Sequence, residues 1–218
     1  MQRVTEPEVM DTVQEAIEYD TMDFTDVNTD FSDRAIELGP PSGLILDAGT
    51  GTARIPILMC QRRPQWQIIG IDLAQSMLDV GQTNIQQAGL QHQITLELVD
   101  AKQMPYPDAQ FDMVVSNSII HHLPDPLPFF QELKRVLKPN GAILLRDLLR
   151  PASKEIVDEI VERVAGECNN HQKELFRDSL HAAFTLDEVN ELMQKASLED
   201  VNIYQSSDRH WTAQRAIV

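Results

Sequence analysis

Three stretches of the chain carry residue types that could together hold a nucleoside. Leu46-Asp47-Ala48-Gly49-Thr50-Gly51-Thr52-Ala53 sets two glycines after a short apolar run. Gly49 and Gly51 permit a tight turn and let the backbone approach a ligand with no Cβ between them. The Gly-Lys-Ser/Thr ending of a P-loop is absent, and Arg54 stands where a dinucleotide fingerprint needs its third glycine. The second stretch, Ile68-Ile69-Gly70-Ile71-Asp72, ends in an acid 25 residues after Asp47. An acid there can accept from both hydroxyls of a ribose, and Leu73 and Met77 follow where they would flank an adenine. In the third, Leu98-Val99-Asp100-Ala101, Asp100 can accept from an adenine amino group. The three acids and the glycine turn predict an adenosine compound lying across the ends of three strands.

A second group could act on whatever meets that compound. Ser116-Asn117-Ser118-Ile119-Ile120-His121-His122-Leu123-Pro124 follows a fourth apolar run. His121 is the candidate general base, because imidazole titrates near neutral pH, and Asn117 and His122 are candidate substrate contacts. The adjacent His121 and His122 are expected to point apart, with no third ligand at a fitting spacing, so no metal is expected. Arg146 or Arg150, leaving a fifth run, could hold an anionic substrate group. His181 and Arg209, in the C-terminal part, are further candidate substrate contacts.

The elements that must position these residues alternate. Apolar runs at 44–46, 67–71, 94–99, 111–116 and 142–145 read as strands, the first buried on both faces. Helices are expected from Ala53, capped by Thr52, then near 75–88 and 127–137, the last stopped by Lys138-Pro139-Asn140-Gly141. Strand–helix alternation demands an α/β fold with a parallel sheet covered on both faces. Residues 151–181 read as one or two extra helices, a helical insertion before the last strands. Thr185-Leu186-Asp187-Glu188 is a capping box opening a helix to about Ala196, and 201–204 with 210–218 read as a closing hairpin. Upstream, Val9, Val13 and Ile17 recur every four residues and predict an amphipathic helix over 5–20. The domain reading is a helical cap over 1–40 and one catalytic domain over 41–218, with 150–182 as its lid.

These motifs together resemble the class I S-adenosylmethionine-dependent methyltransferases. The likeness is greatest to the small-molecule group (methyltransferase type 11) that includes the ubiquinone and menaquinone C-methyltransferases. Asp47, Gly49 and Gly51 match that family's glycine turn, with Ala53 in place of its last glycine. Asp72 matches the ribose acid, within Gly70-x-Asp72-x-x-x-Ser76-Met77-Leu78, and Asp100 the adenine acid. Phe111–Ser116 matches the fourth strand, and Leu137–Ala142 the Pro-Gly turn before the fifth. The match covers roughly 43–148. It implies a Rossmann-like, doubly wound, seven-stranded and mostly parallel sheet whose last strand is antiparallel. It further implies S-adenosylmethionine as cofactor and an SN2 methyl transfer to a small molecule. Asp47, Ala48, Gly49, Thr50, Gly51, Asp72, Leu73, Met77, Asp100, Ala101 and Ser116 would bind the cofactor, and Tyr19 or Arg34 would reach its methionine carboxylate.

Charge excludes other partners. The chain of 218 residues has a net charge of −16, whereas nucleic acid binding needs Lys and Arg to neutralise phosphate. Residues 1–33 hold ten acids and one base, Arg3. The start is polar and acidic, no apolar run is long enough to span a bilayer, and Cys60 and Cys168 form no CxxC pair. A cytoplasmic protein is expected, without nucleic acid or membrane as partner. Two rival readings share the fold: an enzyme using S-adenosylmethionine for something other than methyl transfer, and a non-catalytic module that binds it. A NAD enzyme is disfavoured by Arg54.

Overall fold

The computed structural model describes residues 1–6, 11–22 and 24–218. Its centre is one seven-stranded sheet in the order β3-β2-β1-β4-β5-β7-β6. The strands are β1 (Gly43–Ala48), β2 (Trp66–Asp72), β3 (Ile94–Leu98), β4 (Phe111–Asn117), β5 (Leu137–Leu148), β6 (Asn202–Gln205) and β7 (His210–Arg215). β1 to β5 pair in parallel, and β7 runs antiparallel between β5 and β6. The order reverses between β1 and β4, the switch point at which doubly wound sheets open a crevice beyond their strand ends.

Each face of the sheet is buried at its centre because the central strands β1 and β4 are apolar and buried on both sides. Phe31, Ala35 and Leu38 of α2 (Thr25–Leu38) pack on one face with Ile57, Met59 and Cys60 of α3 (Arg54–Arg62) and Ile85 of α4 (Gln75–Ala88). Phe129, Phe130 and Leu133 of α5 (Leu127–Val136) fill the other face with Val189 and Met193 of α8 (Leu186–Lys195). Between β5 and α8, α6 (Lys154–Ala165) and α7 (Asn170–Ala182) build a small core of their own around Leu148, Val157 and Leu180.

Four local expectations are revised. The helix expected over 5–20 is α1 (Val13–Thr21), started by a Thr12–Glu15 capping box; Val9 lies outside the described residues. Its buried side is Ala16, packed with Tyr19 on Ala74 and Met77. Val13 and Ile17, the expected apolar stripe, are 68% and 48% exposed. α2 lies within the span expected as a helical cap, and its Phe31, Ala35 and Leu38 form a layer of the main core. Thr52 does not cap α3: Ala53 takes the N-cap position in the left-handed conformation at φ 61°. Lys138-Pro139-Asn140-Gly141 is not a loop, because β5 starts directly at Leu137 and these residues form a bulge between the pairs Phe111–Leu137 and Met113–Ala142. A proline without an amide hydrogen is accommodated at such a bulge.

The Thr185 capping box forms as its spacing requires. The hydroxyl accepts from the Glu188 amide, and the Glu188 carboxylate accepts from the Thr185 amide. Thr185→Ala is expected to cost about 1 kcal/mol, read as a lower urea midpoint with an unchanged m-value.

Candidate active site

The C-terminal ends of β1, β2 and β4 and the residues after β3 surround a cleft of about 840 Å³, open to solvent on one side. Gly49 and Gly51 form one wall, at φ 76° and 52°. The two glycines serve different ends. A Cβ on Gly49 would lie 1.7 Å from Ile119 Cγ2, so the turn after β1 can approach the loop after β4 only without a side chain. A Cβ on Gly51 would meet nothing nearer than the Tyr19 ring at 3.9 Å.

Asp72 ends β2 and accepts from the Gly51 amide at 2.8 Å and the Ala74 amide at 3.0 Å. Burial pushes its carboxyl above the usual range, and these amides offset that only in part. Leu73, Met77 and Val99 form an apolar wall beyond it, with Asp100 and Ala101 at the far end. Asp100 Oδ1 accepts from the Lys102 amide and pairs with its ammonium at 3.1 Å. Tyr19 closes the cleft from α1. Burial, then the charges of Asp72, Asp47 and Asp20, push its phenol up to about 12, so it stays a hydrogen-bond donor.

Asp47 lies behind the glycine turn, 2% exposed. Burial pushes its carboxyl up to about 7, against the nearby Thr50 hydroxyl, and the charge of Asp72 adds to the rise. Its Oδ2 has no hydrogen-bond partner. A buried, unsatisfied carboxyl beside a second carboxylate is a site for a cation. A ligand carrying a sulfonium and an ammonium, with a ribose and an adenine, therefore fits: positive charge toward Asp47, hydroxyls toward Asp72, the base between Leu73 and Asp100. Asp47, Ala48, Thr50 and Ser116 do not line the cleft. The Ser116 hydroxyl donates to the Ala48 carbonyl at 2.8 Å and ties β4 to β1 beneath it.

On the other wall stand Asn117, Ser118, Ile119, His122 and Leu123. His122 is thus where the sequence placed a substrate contact, but His121 is not. His121 is 4% exposed and turned inward, with Nδ1 2.5 Å from Asp147 Oδ1 and Nε2 3.5 Å from Glu6 Oε1. A base open to the acceptor is therefore not His121. Arg146 is displaced further. Strand alternation sends it to the face covered by α2, where it bonds Asp30 at 2.7 Å and lies over Phe31. Arg34 likewise faces away, bonding Gln214 and Glu37. His181 and Arg209 do not line the cleft: the His181 carbonyl accepts from the Val4 amide, and Arg209 pairs with Asp208.

Sequence reasoning missed two acids. Asp147, at the end of β5, accepts from the amides of Ile120 and His121 and clamps the turn over Ile120–His122. Burial pushes Asp147 up, but the His121 ring and the Leu148 and Ile120 amides outweigh it and hold the carboxyl below the usual range. Glu6 packs on both histidines, and His122 Nδ1 lies 3.1 Å from Glu6 Oε1. The two rings lie side by side, tilted by 34° with centroids 4.2 Å apart, so they do not point apart as expected. Nothing in the local spacing marks Glu6, which reaches the site from 115 residues away in sequence.

Two substitutions separate the glycine roles. Gly49→Ala is expected to lose cofactor binding together with several kcal/mol of stability. Gly51→Ala is expected to cost only the left-handed strain, about 1 kcal/mol. Thermal melts with and without ligand read both. Asp47 gives a third expectation. A pKa raised from 3.8 to about 7 means that its charge opposes folding. That cost is absent below about pH 4, grows by about 1.4 kcal/mol per unit through about pH 7, and is constant above. Asp47→Asn is expected to stabilise the ligand-free protein more at pH 8 than at pH 5 while weakening cofactor binding; equal stabilisation at both would refute it.

Comparisons with known proteins agree with this geometry. The family model described as "Methyltransferase domain" matches residues 42–213. A demethylmenaquinone methyltransferase of Listeria welshimeri is 33% identical over 108 residues, 49% of this chain and 45% of its own. A 27-O-demethylrifamycin SV methyltransferase of Amycolatopsis mediterranei is 28% identical over 71% of this chain and 53% of its own. The chain therefore spans about half the length of these curated relatives. A SAM-dependent methyltransferase of Aquifex aeolicus shares the fold, with a TM-score of 0.68 at 17% identity, over 96% of this chain and 100% of that one. With its glycine turn, strand-end acids and sheet order inside the matched segment, the chain belongs to the methyltransferase domain family, the class I S-adenosylmethionine-dependent methyltransferases.

Proposed function

We propose that this chain binds S-adenosylmethionine in the cleft and transfers its methyl group to a small-molecule acceptor entering beside His122 and Asn117. One observation carries the reading: Asp72 lines a cleft beyond the switch point with Asp47 buried directly behind its glycine turn, burial pushes both carboxyls up, and Asp47 Oδ2 has no hydrogen-bond partner. A ligand cation would lower both carboxyls and so gain binding energy from them. The relatives named for demethylmenaquinone and 27-O-demethylrifamycin SV support a small acceptor.

S-adenosylmethionine supplies a methyl carbon on a sulfonium; the acceptor forms its bond to that carbon as the carbon–sulfur bond breaks and its electron pair stays on sulfur. The protein's task is mainly alignment and exclusion of water. Asp72 orients the ribose and Asp100 the adenine amino group. Asp47 answers the methionine ammonium, and the Tyr19 hydroxyl donates to its carboxylate. Asn117 and His122 contact the acceptor. We further propose that the cover over the acceptor consists of residues 1–6 with α6 and α7, which narrows the expected cap. In support, α7 packs against the Ile120–His122 turn, and the Ser179 hydroxyl donates to Glu6.

The net charge of −16 argues against a nucleic acid partner, and no helix among the described residues is long and apolar enough to cross a membrane. The reading places the chain in the cytoplasm, with Cys60 buried and both thiols free, as suits a reducing compartment.

Calorimetric titration with S-adenosylmethionine, S-adenosylhomocysteine and NAD tests the reading. The two sulfur compounds are expected to bind and NAD is not. Asp72→Asn, which keeps one acceptor oxygen, is expected to weaken binding by about tenfold to a hundredfold. Release of S-adenosylhomocysteine from a metabolite extract then reads transfer. Failure of both sulfur compounds to bind would overturn the proposal.

A further inference from the structure

Glu6 from the amino-terminal segment and His121 and His122 from the turn after β4 bring three potential ligand atoms to one point, all within 4.8 Å of one another. Glu6 Oε1 lies 3.1 Å from His122 Nδ1 and 3.5 Å from His121 Nε2. Ligand atoms on a tetrahedral zinc, with bonds of about 2.0–2.2 Å, lie about 3.3–3.5 Å apart. Despite that proximity, Glu6 Oε1 is buried and accepts no hydrogen bond. An oxygen at these distances from two ring nitrogens puts three atoms that can each offer a lone pair at the spacing of ligands on one ion.

The surroundings fix those lone pairs. His121 Nδ1 sits 2.5 Å from Asp147 Oδ1, a carboxylate that is 1% exposed. Metal-binding histidines use their other ring nitrogen in this way, which leaves Nε2 free to ligate. The second oxygen of Glu6 is held by the Ser179 hydroxyl at 3.1 Å. Arg3 holds the segment in place, donating to the carbonyls of His121, Leu123, Pro124 and Ala182.

We propose that Glu6 Oε1, His121 Nε2 and His122 Nδ1 bind one divalent transition-metal cation, zinc by ligand type, at the acceptor wall of the cleft. Two imidazoles and one carboxylate are a ligand set that zinc takes, and three protein ligands leave a position for water or an acceptor oxygen. The site does not depend on the cofactor reading, since none of its ligands is assigned to the cofactor.

The test is equilibrium dialysis of the full chain against Zn²⁺, with the visible spectrum of the Co²⁺ form. One Zn²⁺ per chain is expected, with Co²⁺ bands of tetrahedral intensity and no thiolate charge transfer. Glu6→Gln and His122→Gln are each expected to weaken Zn²⁺ by more than the roughly tenfold to hundredfold that losing an outer partner costs. Cys168→Ser and His92→Ala, at exposed positions, are expected to leave Zn²⁺ binding unchanged. The circular dichroism spectrum and S-adenosylmethionine affinity of Glu6→Gln are expected to stay at wild-type values, which shows that the variant is folded. Absence of stoichiometric Zn²⁺, its retention in both Glu6→Gln and His122→Gln, or its loss in Cys168→Ser would overturn the site. Zn²⁺ bound without S-adenosylmethionine binding would overturn the cofactor reading and leave the metal site standing.

Discussion

The functional edge depends on how closely the turn after β1 meets the loop after β4. Gly49 can sit against Ile119 because it has no side chain. That contact lies at the switch point, where β1 and β4 are neighbours and their following helices depart to opposite faces. It brings a wall of backbone and buried acids to within reach of a wall that carries Asn117 and His122. The two walls of the cleft are set by one close approach rather than by separate devices.

Electrostatics divides the two walls. The β1–β2 side holds two carboxyls that burial has pushed up, Asp72 offset only in part by backbone amides and the His122 charge, and Asp47 by the Thr50 hydroxyl. The other side is internally compensated. Asp147 is held down by His121 and backbone amides. At Glu6, burial raises the pKa, but the facing His122 and His121 rings and the Ser179 hydroxyl outweigh it and keep the carboxyl below its usual range. One wall gains from a cationic ligand, while the other is already ordered before any acceptor arrives.

The strand-end motifs and one helix start were legible in the sequence, although the Thr52 cap and the Val13–Ile17 stripe were not borne out. The glycine turn, Asp72 and Asp100 sit at strand ends that apolar runs announce, and the Thr185 box declares a helix start. What failed depends on direction or on distance along the chain. Arg146 leaves the expected strand, but the register opposite Asn117 and Thr212 turns it toward α2. His121 and His122 are adjacent in sequence, yet a single 3-10 turn brings their rings side by side. Val13 and Ile17 form a helical stripe, but α1 rests on its small residue, Ala16. Glu6 could not be placed from spacing at all, because Arg3 and the carbonyls of a distant loop bring it there.

The Arg3 anchor also separates two evolutionary problems. Its acceptors belong to the loop after β4 and to the end of α7, and none belongs to the glycine turn or to β2. Substitutions in the first six residues can therefore reshape the acceptor wall without disturbing the acids at the ends of β1 and β2. In a lineage of such chains, acceptor preference is free to diverge through the amino-terminal segment while methyl-donor recognition stays under the constraint of the sheet.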